Sequence, residues 1–176
     1  MSTTQIEVVP TGTWSADKVH STVGFAVKYM VGTFQGSFSD FDAELRDGVL
    51  RGSARVASIE VKDPNLAAHL QAPDFFDAER HPELTFESRE ITRDGERLEI
   101  KGEITIKGHT EPVNITGVIG EPIQDPFGGE RFGLTLEAKV DRTAFGISWN
   151  NPLPSGEKAL SNTVTLIADL QLSKQA

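Results

Sequence analysis

The sequence predicts an all-β protein in which about eight antiparallel strands close into a barrel, with one or two short helices between strands. Three observations carry this expectation. Apolar and polar residues alternate at period two through most of the chain, short Gly- and Asp-containing turns join the alternating runs, and clear helical spacing appears once. In a chain of 176 residues, strands with one bulky face must bury it against other strands, in a sandwich or a closed barrel.

The first strand shows the pattern most clearly. A polar turn from Trp14 through Asp17 to His20 runs into Ser21–Val31, where the odd positions are Ser, Val, Phe, Val, Tyr, Val and the even ones Thr, Gly, Ala, Lys, Met. Phe34, Gly36 and Phe38 then share one parity while Phe41, Ala43 and Leu45 share the other, so a bulge or bend at Ser39-Asp40 is expected. Arg46-Asp47-Gly48 supplies a tight turn, and Val49–Val61 pairs back as a hairpin.

Asp63-Pro64-Asn65 is a helix start, because Asp caps free amides and Pro suits the first turn; Leu66, Ala67, Ala68 and Leu70 follow at helical spacing until Pro73. The next segment, from Asp74 to Pro82, is a loop or short helix. Its adjacent Phe75 and Phe76 cannot both face one core from a strand, so it reads as a plug or lid.

Alternation returns at Leu84, Phe86, Ser88; at Leu98 to Ile106; and at Val113 to Ile119, joined by the turns Arg93–Glu96 and Lys107–Thr110. Sequential antiparallel pairing follows from turns this short. Glu121–Arg131, with two Pro and Gly128-Gly129, reads as a longer loop. Phe132–Val140 and Val164–Leu172 supply the last two strands, separated by an irregular stretch holding Trp149 and Asn150–Pro154.

The whole chain, 1–176, reads as one domain, with an ordered core over 10–174 and residues 1–9 as an N-terminal extension; a chain of this length buries about 70% of its unfolded surface without a disulfide or metal staple. With 17 basic and 26 acidic residues the net charge is −9, which disfavours nucleic acid and anionic membranes as partners. Cysteine is absent, which removes thiol chemistry and thiolate metal sites. Met1–Thr13 has no basic n-region, apolar h-region or small-residue cleavage site, and no stretch approaches the ~18 apolar residues of a membrane span, so the expectation is a cytoplasmic protein without stable membrane insertion.

Catalytic signatures are weak. The four histidines, His20, His69, His81 and His109, show no metal-ligand spacing, and no Gly-x-Ser-x-Gly elbow or phosphate loop is present. No catalytic residue, metal or cofactor is therefore assigned. Ten Phe against one Tyr is an apolar choice of aromatic that suits a dry wall. For Phe25, Phe34, Phe38, Phe86 and Phe132, pattern alone does not separate core filling from lining a cavity.

These residues, in this order, resemble the YceI-like family, the polyisoprenoid-binding or lipid-binding YceI domain. The resemblance covers nearly the whole chain: Trp14, Asp17, His20-Ser21, Val23 and Phe25; His69-Leu70; Asp74–Asp77; His81-Pro82 and Phe86; Gly102 and Ile104–Gly108; Pro112-Val113; Arg142, Phe145-Gly146; and the alternating final strand from Val164. It implies a lipocalin-like, extended eight-stranded barrel whose hydrophobic channel takes up a long-chain isoprenoid, quinone-like or fatty amphiphile without catalysis. The family often has His where this chain has Tyr29, and Gly-Asp where it has Ser161-Asn162, departures that bear on head-group selectivity.

On that reading Val23, Phe25, Val27, Tyr29, Phe34, Phe38, Phe86, Ile104, Ile106 and Phe132 line or close the channel. Leu70, Phe75, Phe76 and Trp149 belong to the same ligand-binding set, with Leu70, Phe75 and Phe76 guarding an end. His20, Asp74 and Arg142 are candidate head-group contacts, against a purely structural role in turns and barrel ends. Two other readings stand beside this one: an enzyme acting on a hydrophobic substrate through His20 or Tyr29, and a ligand-free stress-related module. A homodimer is compatible with the sequence.

Overall fold

The structure, a computed structural model, describes residues 8–175, so residues 1–7 of the expected N-terminal extension lie outside the described residues. In chain order the elements are β1 (Thr13–Ala16), β2 (Thr22–Tyr29), β3 (Gly32–Phe38), β4 (Phe41–Arg46), β5 (Val49–Arg55), β6 (Ile59–Glu60) and α1 (Pro64–Gln71). They continue with β7 (Glu83–Asp94), β8 (Arg97–Ile106), β9 (His109–Ile119), β10 (Ile123–Gln124), β11 (Glu130–Asp141) and β12 (Leu160–Lys174).

These segments make a closed eight-stranded antiparallel barrel. β1 with β2, β3 with β4, and β5 with β6 each act as one bent strand, and β12 closes the wall by pairing with β11 on one side and with β1 and β2 on the other. The parity change at Ser39-Asp40 is a bend, as the sequence predicts: Phe38 and Phe41 are both buried although three residues apart. The Ser39 amide donates to the Ser58 carbonyl and the Arg55 amide to the Asp40 carbonyl, which locks this bend to the one between β5 and β6.

Tight turns set the registers. Asp47 and Gly48 have φ of 50° and 80°, and Lys107 and Gly108 have φ of 52° and 76°, the left-handed pair that matches a two-residue hairpin to strand twist. At the β2–β3 hairpin the alternation stops at Tyr29, which pairs with Gly32; the chain reverses through Met30-Val31, and Val31 is fully exposed rather than continuing the bulky face.

Three further segments add detail to the expectation. The 121–131 loop carries β10, which pairs Ile123 with Arg131, and the Asp125 carboxylate organises its tip by accepting from the Phe127 and Gly129 amides. β12 begins at Leu160, with a register shift between Leu160 and Val164, so Ser161-Asn162 lies inside the last strand rather than before it. The Asp74–Pro82 segment forms hydrogen-bonded turns: the Phe76 amide donates to Leu70 and the Ala78 amide to Gln71, stitching it to the end of α1. α1 starts where the sequence places it, with Asp63 accepting from the Asn65 amide and Pro64 in the first turn.

The two barrel ends differ. At one, Trp14, Leu45, Ile119 and Leu172 are at most 1% exposed, and Phe132 meets Trp14 edge-on at 4.8 Å. Val9 packs there as well. Arg131 braces this closed end by donating to Asp17 (2.7 Å) and Asp125 (3.1 Å), while Asp17 also holds His20 at 2.8 Å. The opposite end carries α1 and the Phe75-Phe76 segment.

Candidate functional site: a plugged apolar lumen

Above the closed end the barrel keeps an apolar lumen in two parts. The outer part, of about 330 Å³, lies beneath α1 and the plug segment; the inner part, of about 150 Å³, lies deeper. Phe38, Leu84 and Leu166 line both parts and mark where they meet.

Two aromatics lie over glycines of a neighbouring strand, Gly36 directly across from Phe25 and Gly102 diagonal to Phe86. A Cβ on Gly36 would sit 2.6 Å from the Phe25 ring, and one on Gly102 would sit 2.7 Å from the Phe86 ring. Each ring therefore lies down on the wall over a residue without a side chain, instead of standing into the lumen. Period-two patterning supplies the inward aromatics; the facing glycines decide whether they fill the core or line it.

Most of the residues singled out from sequence come together here. Phe25, Val27, Tyr29, Phe34 and Phe38 form one wall of the outer part; Leu70, Phe75, Phe76, Ile106 and Trp149 close around it; Arg142 reaches it from the turn at Arg142–Phe145. Val23, Phe86 and Ile104 line the inner part. Phe132 is elsewhere: β11 register sets it opposite Leu172, in the packed closed end against Trp14. His20 lies on the exposed turn before β2, about 23 Å of strand from Tyr29, tied to Asp17. Asp74 is exposed on the outer edge of the plug, where it meets His69 at 3.5 Å and does not line the lumen.

The plug is held by aromatic and polar contacts. Phe76 meets Phe25 at 6.3 Å and Phe38 at 6.0 Å between ring centres, and Phe75 meets His69 at 4.9 Å and Trp149 at 5.3 Å. Lys107, at the β8–β9 turn, donates to the Pro73 carbonyl (2.6 Å) and the Gly146 carbonyl (3.4 Å), strapping the plug to the far wall.

Arg142 is the strongest electrostatic feature of the lumen. It is 5% exposed, and its guanidinium donates to the backbone carbonyls of Ser161, Ile147, Trp149 and Leu160 at 2.8–3.4 Å. Among the described residues no carboxylate lies within ion-pair distance of it, and desolvation pulls its pKa below the ordinary arginine value, with nearby Asp141 opposing. Asn150 completes this end by bonding both backbone groups of Leu160. The described residues contain no group of three or more His, Cys, Asp or Glu placed to hold a metal.

Several lining residues lie outside the set named from sequence. Leu66 and His69 share a face of α1 with Leu70, a grouping their 66, 69, 70 spacing already encodes. Val164 and Leu166 lie on the inward parity of β12. Phe145 and Ile147, in irregular backbone, carry no periodic signal that would have found them.

A closed antiparallel barrel with a plugged apolar lumen defines a lipocalin-like class of β-barrel. Within it, the YceI-like domain model matches residues 14–172, and the chain belongs to the YceI-like family. It is similar to a UPF0312 protein of Staphylococcus epidermidis, 28% identical over 166 residues, covering 89% of this chain and 95% of the relative. A solved YCEI protein from Campylobacter jejuni superposes with a TM-score of 0.72 at 24% identity, over 91% of this chain and 96% of that one. A structure described as a polyisoprenoid binding domain from Saccharophagus degradans has a TM-score of 0.72 at 10% identity, over 92% and 98% of the two chains. At these identities the solved structures establish a shared fold.

Proposed function

We propose that the protein binds one long-chain isoprenoid or similar amphiphilic lipid in the barrel lumen, for transport or storage rather than turnover. The observation that carries this reading is the two-part apolar lumen beneath a plug, with Val23, Phe86 and Ile104 in its depth and Trp149 and Arg142 near its mouth. Moving a hydrocarbon chain out of water contributes about 0.8 kcal/mol per CH₂, so a chain of ten or so carbons offsets a substantial ordering cost without any covalent chemistry. The shared fold with a polyisoprenoid-binding domain supports the same class of ligand.

The enzyme reading has less support. His20 lies outside the lumen, and Tyr29 has no hydrogen-bond partner among the described residues that would serve as a base. Titration with a geranylgeranyl-chain amphiphile, followed through tryptophan emission, tests the proposal. A saturable change at one equivalent, lost in Trp149→Phe and in a folded Phe86→Asp variant, is expected. Full stoichiometry retained in Phe86→Asp rejects the placement of the chain, and no saturable signal rejects the reading itself.

A further inference from the structure

The mouth of the lumen is richer in unused donors than in acceptors. Tyr29 lines it, and its hydroxyl makes no hydrogen bond among the described residues. Trp149 lines it too: its backbone carbonyl accepts from Arg142, while its indole N–H has no acceptor among those residues. Arg142 has five N–H groups and places four contacts on carbonyls, so its charge is solvated by backbone dipoles and, among the described residues, forms no ion pair with a carboxylate. Two of the three meet at Leu160: Tyr29 pairs with it across β2 and β12 and Arg142 donates to its carbonyl, while Trp149 precedes Asn150, which bonds both backbone groups of Leu160.

The acidic groups nearby are placed differently. Asp141, the acid that acts on Arg142, makes no ion pair with it and accepts instead from the Thr143 amide and hydroxyl; Asp63 reaches the rim but is exposed and caps α1 through the Asn65 amide, and Asp74 is exposed and turned to His69. Exposed carboxylates are screened by water, whereas a buried guanidinium is not. A buried cation that lines the same space as two accessible donors without a protein acceptor is the complement of an anionic oxygen acceptor.

Resting on the lipid-binding reading above, we infer that the ligand is a long-chain carboxylic acid, its carboxylate set against Tyr29, Trp149 and Arg142 and its tail directed towards Phe86. A carboxylate can accept from the Tyr29 hydroxyl, the Trp149 indole and the one Arg142 N–H that the carbonyls leave over, and it brings a negative charge to a guanidinium that makes no ion pair among the described residues. An alcohol head offers a weaker acceptor, and an ammonium head brings a second positive charge and only donors. The site thus selects by head group, while the apolar wall accepts any chain that fits.

Calorimetric titration at neutral pH with dodecanoate, dodecanol and dodecylammonium separates head from tail, because the three share one chain. Dodecanoate is expected to bind about tenfold more tightly than dodecylammonium and several-fold more tightly than dodecanol. Tyr29→Phe and Trp149→Phe are expected to lower dodecanoate affinity more than dodecanol affinity and so to narrow the gap between them; these positions are used because replacing Arg142 strips carbonyl partners from the barrel end. Equal binding of all three, or a preference for the amine, overturns the head-group assignment and leaves lipid binding standing. Binding of none withdraws both.

Discussion

Arg142 does two jobs with one side chain. Its guanidinium satisfies four carbonyls, two from the irregular 147–149 stretch and two from the start of β12, and in doing so ties backbone that has no strand partner of its own to a strand that has one. Arg142→Gln leaves several of these carbonyls without donors; at about 1–3 kcal/mol for each buried unsatisfied group, the expected loss is on the order of 3 kcal/mol or more. Chemical denaturation of the variant checks this, and a loss below about 1 kcal/mol would mean water replaces the guanidinium. Gly36 makes the complementary point about space. Gly36→Ala drives a methyl group into the Phe25 ring, so the ring must stand into the lumen; overpacking of this kind costs about 1–3 kcal/mol and takes volume from the ligand. A lower melting temperature together with weaker uptake is expected, and unchanged uptake would show that the ring has another place to go. Sequence reading identified Phe25 and Phe86 as inward but left filling and lining undivided, because the division depends on which residue lies across the strand pair.

At the scale of elements, the plug and its strap cover the outer lumen. Phe75 and Phe76 read as a plug from sequence because adjacent aromatics have no place in one strand face, and the structure seats them over the lumen on opposite sides: Phe76 against Phe25 and Phe38, Phe75 against His69 and Trp149. Lys107 ties that segment to the wall through the Pro73 carbonyl. Lys107→Met keeps the length of the side chain and removes the donor, so ligand release is expected to quicken by several-fold with little change in melting temperature; stopped-flow displacement reads the rate. Release at the wild-type rate would place the gate elsewhere. Strand parity and turn chemistry made the bend at Ser39-Asp40 and the hairpins at Asp47-Gly48 and Lys107-Gly108 legible. Phe132 and His20 were not legible in the same way, because which barrel end packs solid depends on the register that sets Phe132 against Trp14, and a single sequence does not carry that register.

At the scale of the whole molecule, one end is packed and braced by charge and the other carries the plug over an apolar lumen. Arg131, first, and His20 hold Asp17 well below the usual carboxylate range, and the Gly129 amide and Arg131 lower Asp125. A carboxylate whose folded pKa lies below its unfolded value of about 3.9 contributes stability that is complete above that pH and lost as pH falls towards the folded value. Stability is therefore expected to hold from neutrality down to about pH 4 and to decline below it, with a shallower decline in Asp17→Asn. An equally steep acid limb in that variant would remove Asp17 from the account. The fold itself was legible at this scale, since eight alternating segments joined by short turns leave few ways to bury their bulky faces; the lumen was not, since its volume is what packing leaves over.

Native mass spectrometry of freshly purified protein, followed by organic extraction, tests the central claim most directly. The account predicts a species heavier than the apo chain by one long-chain molecule, recovered chemically unchanged on extraction and absent from folded Phe86→Asp protein. Only the apo mass, together with no uptake of any added long-chain amphiphile, would contradict it.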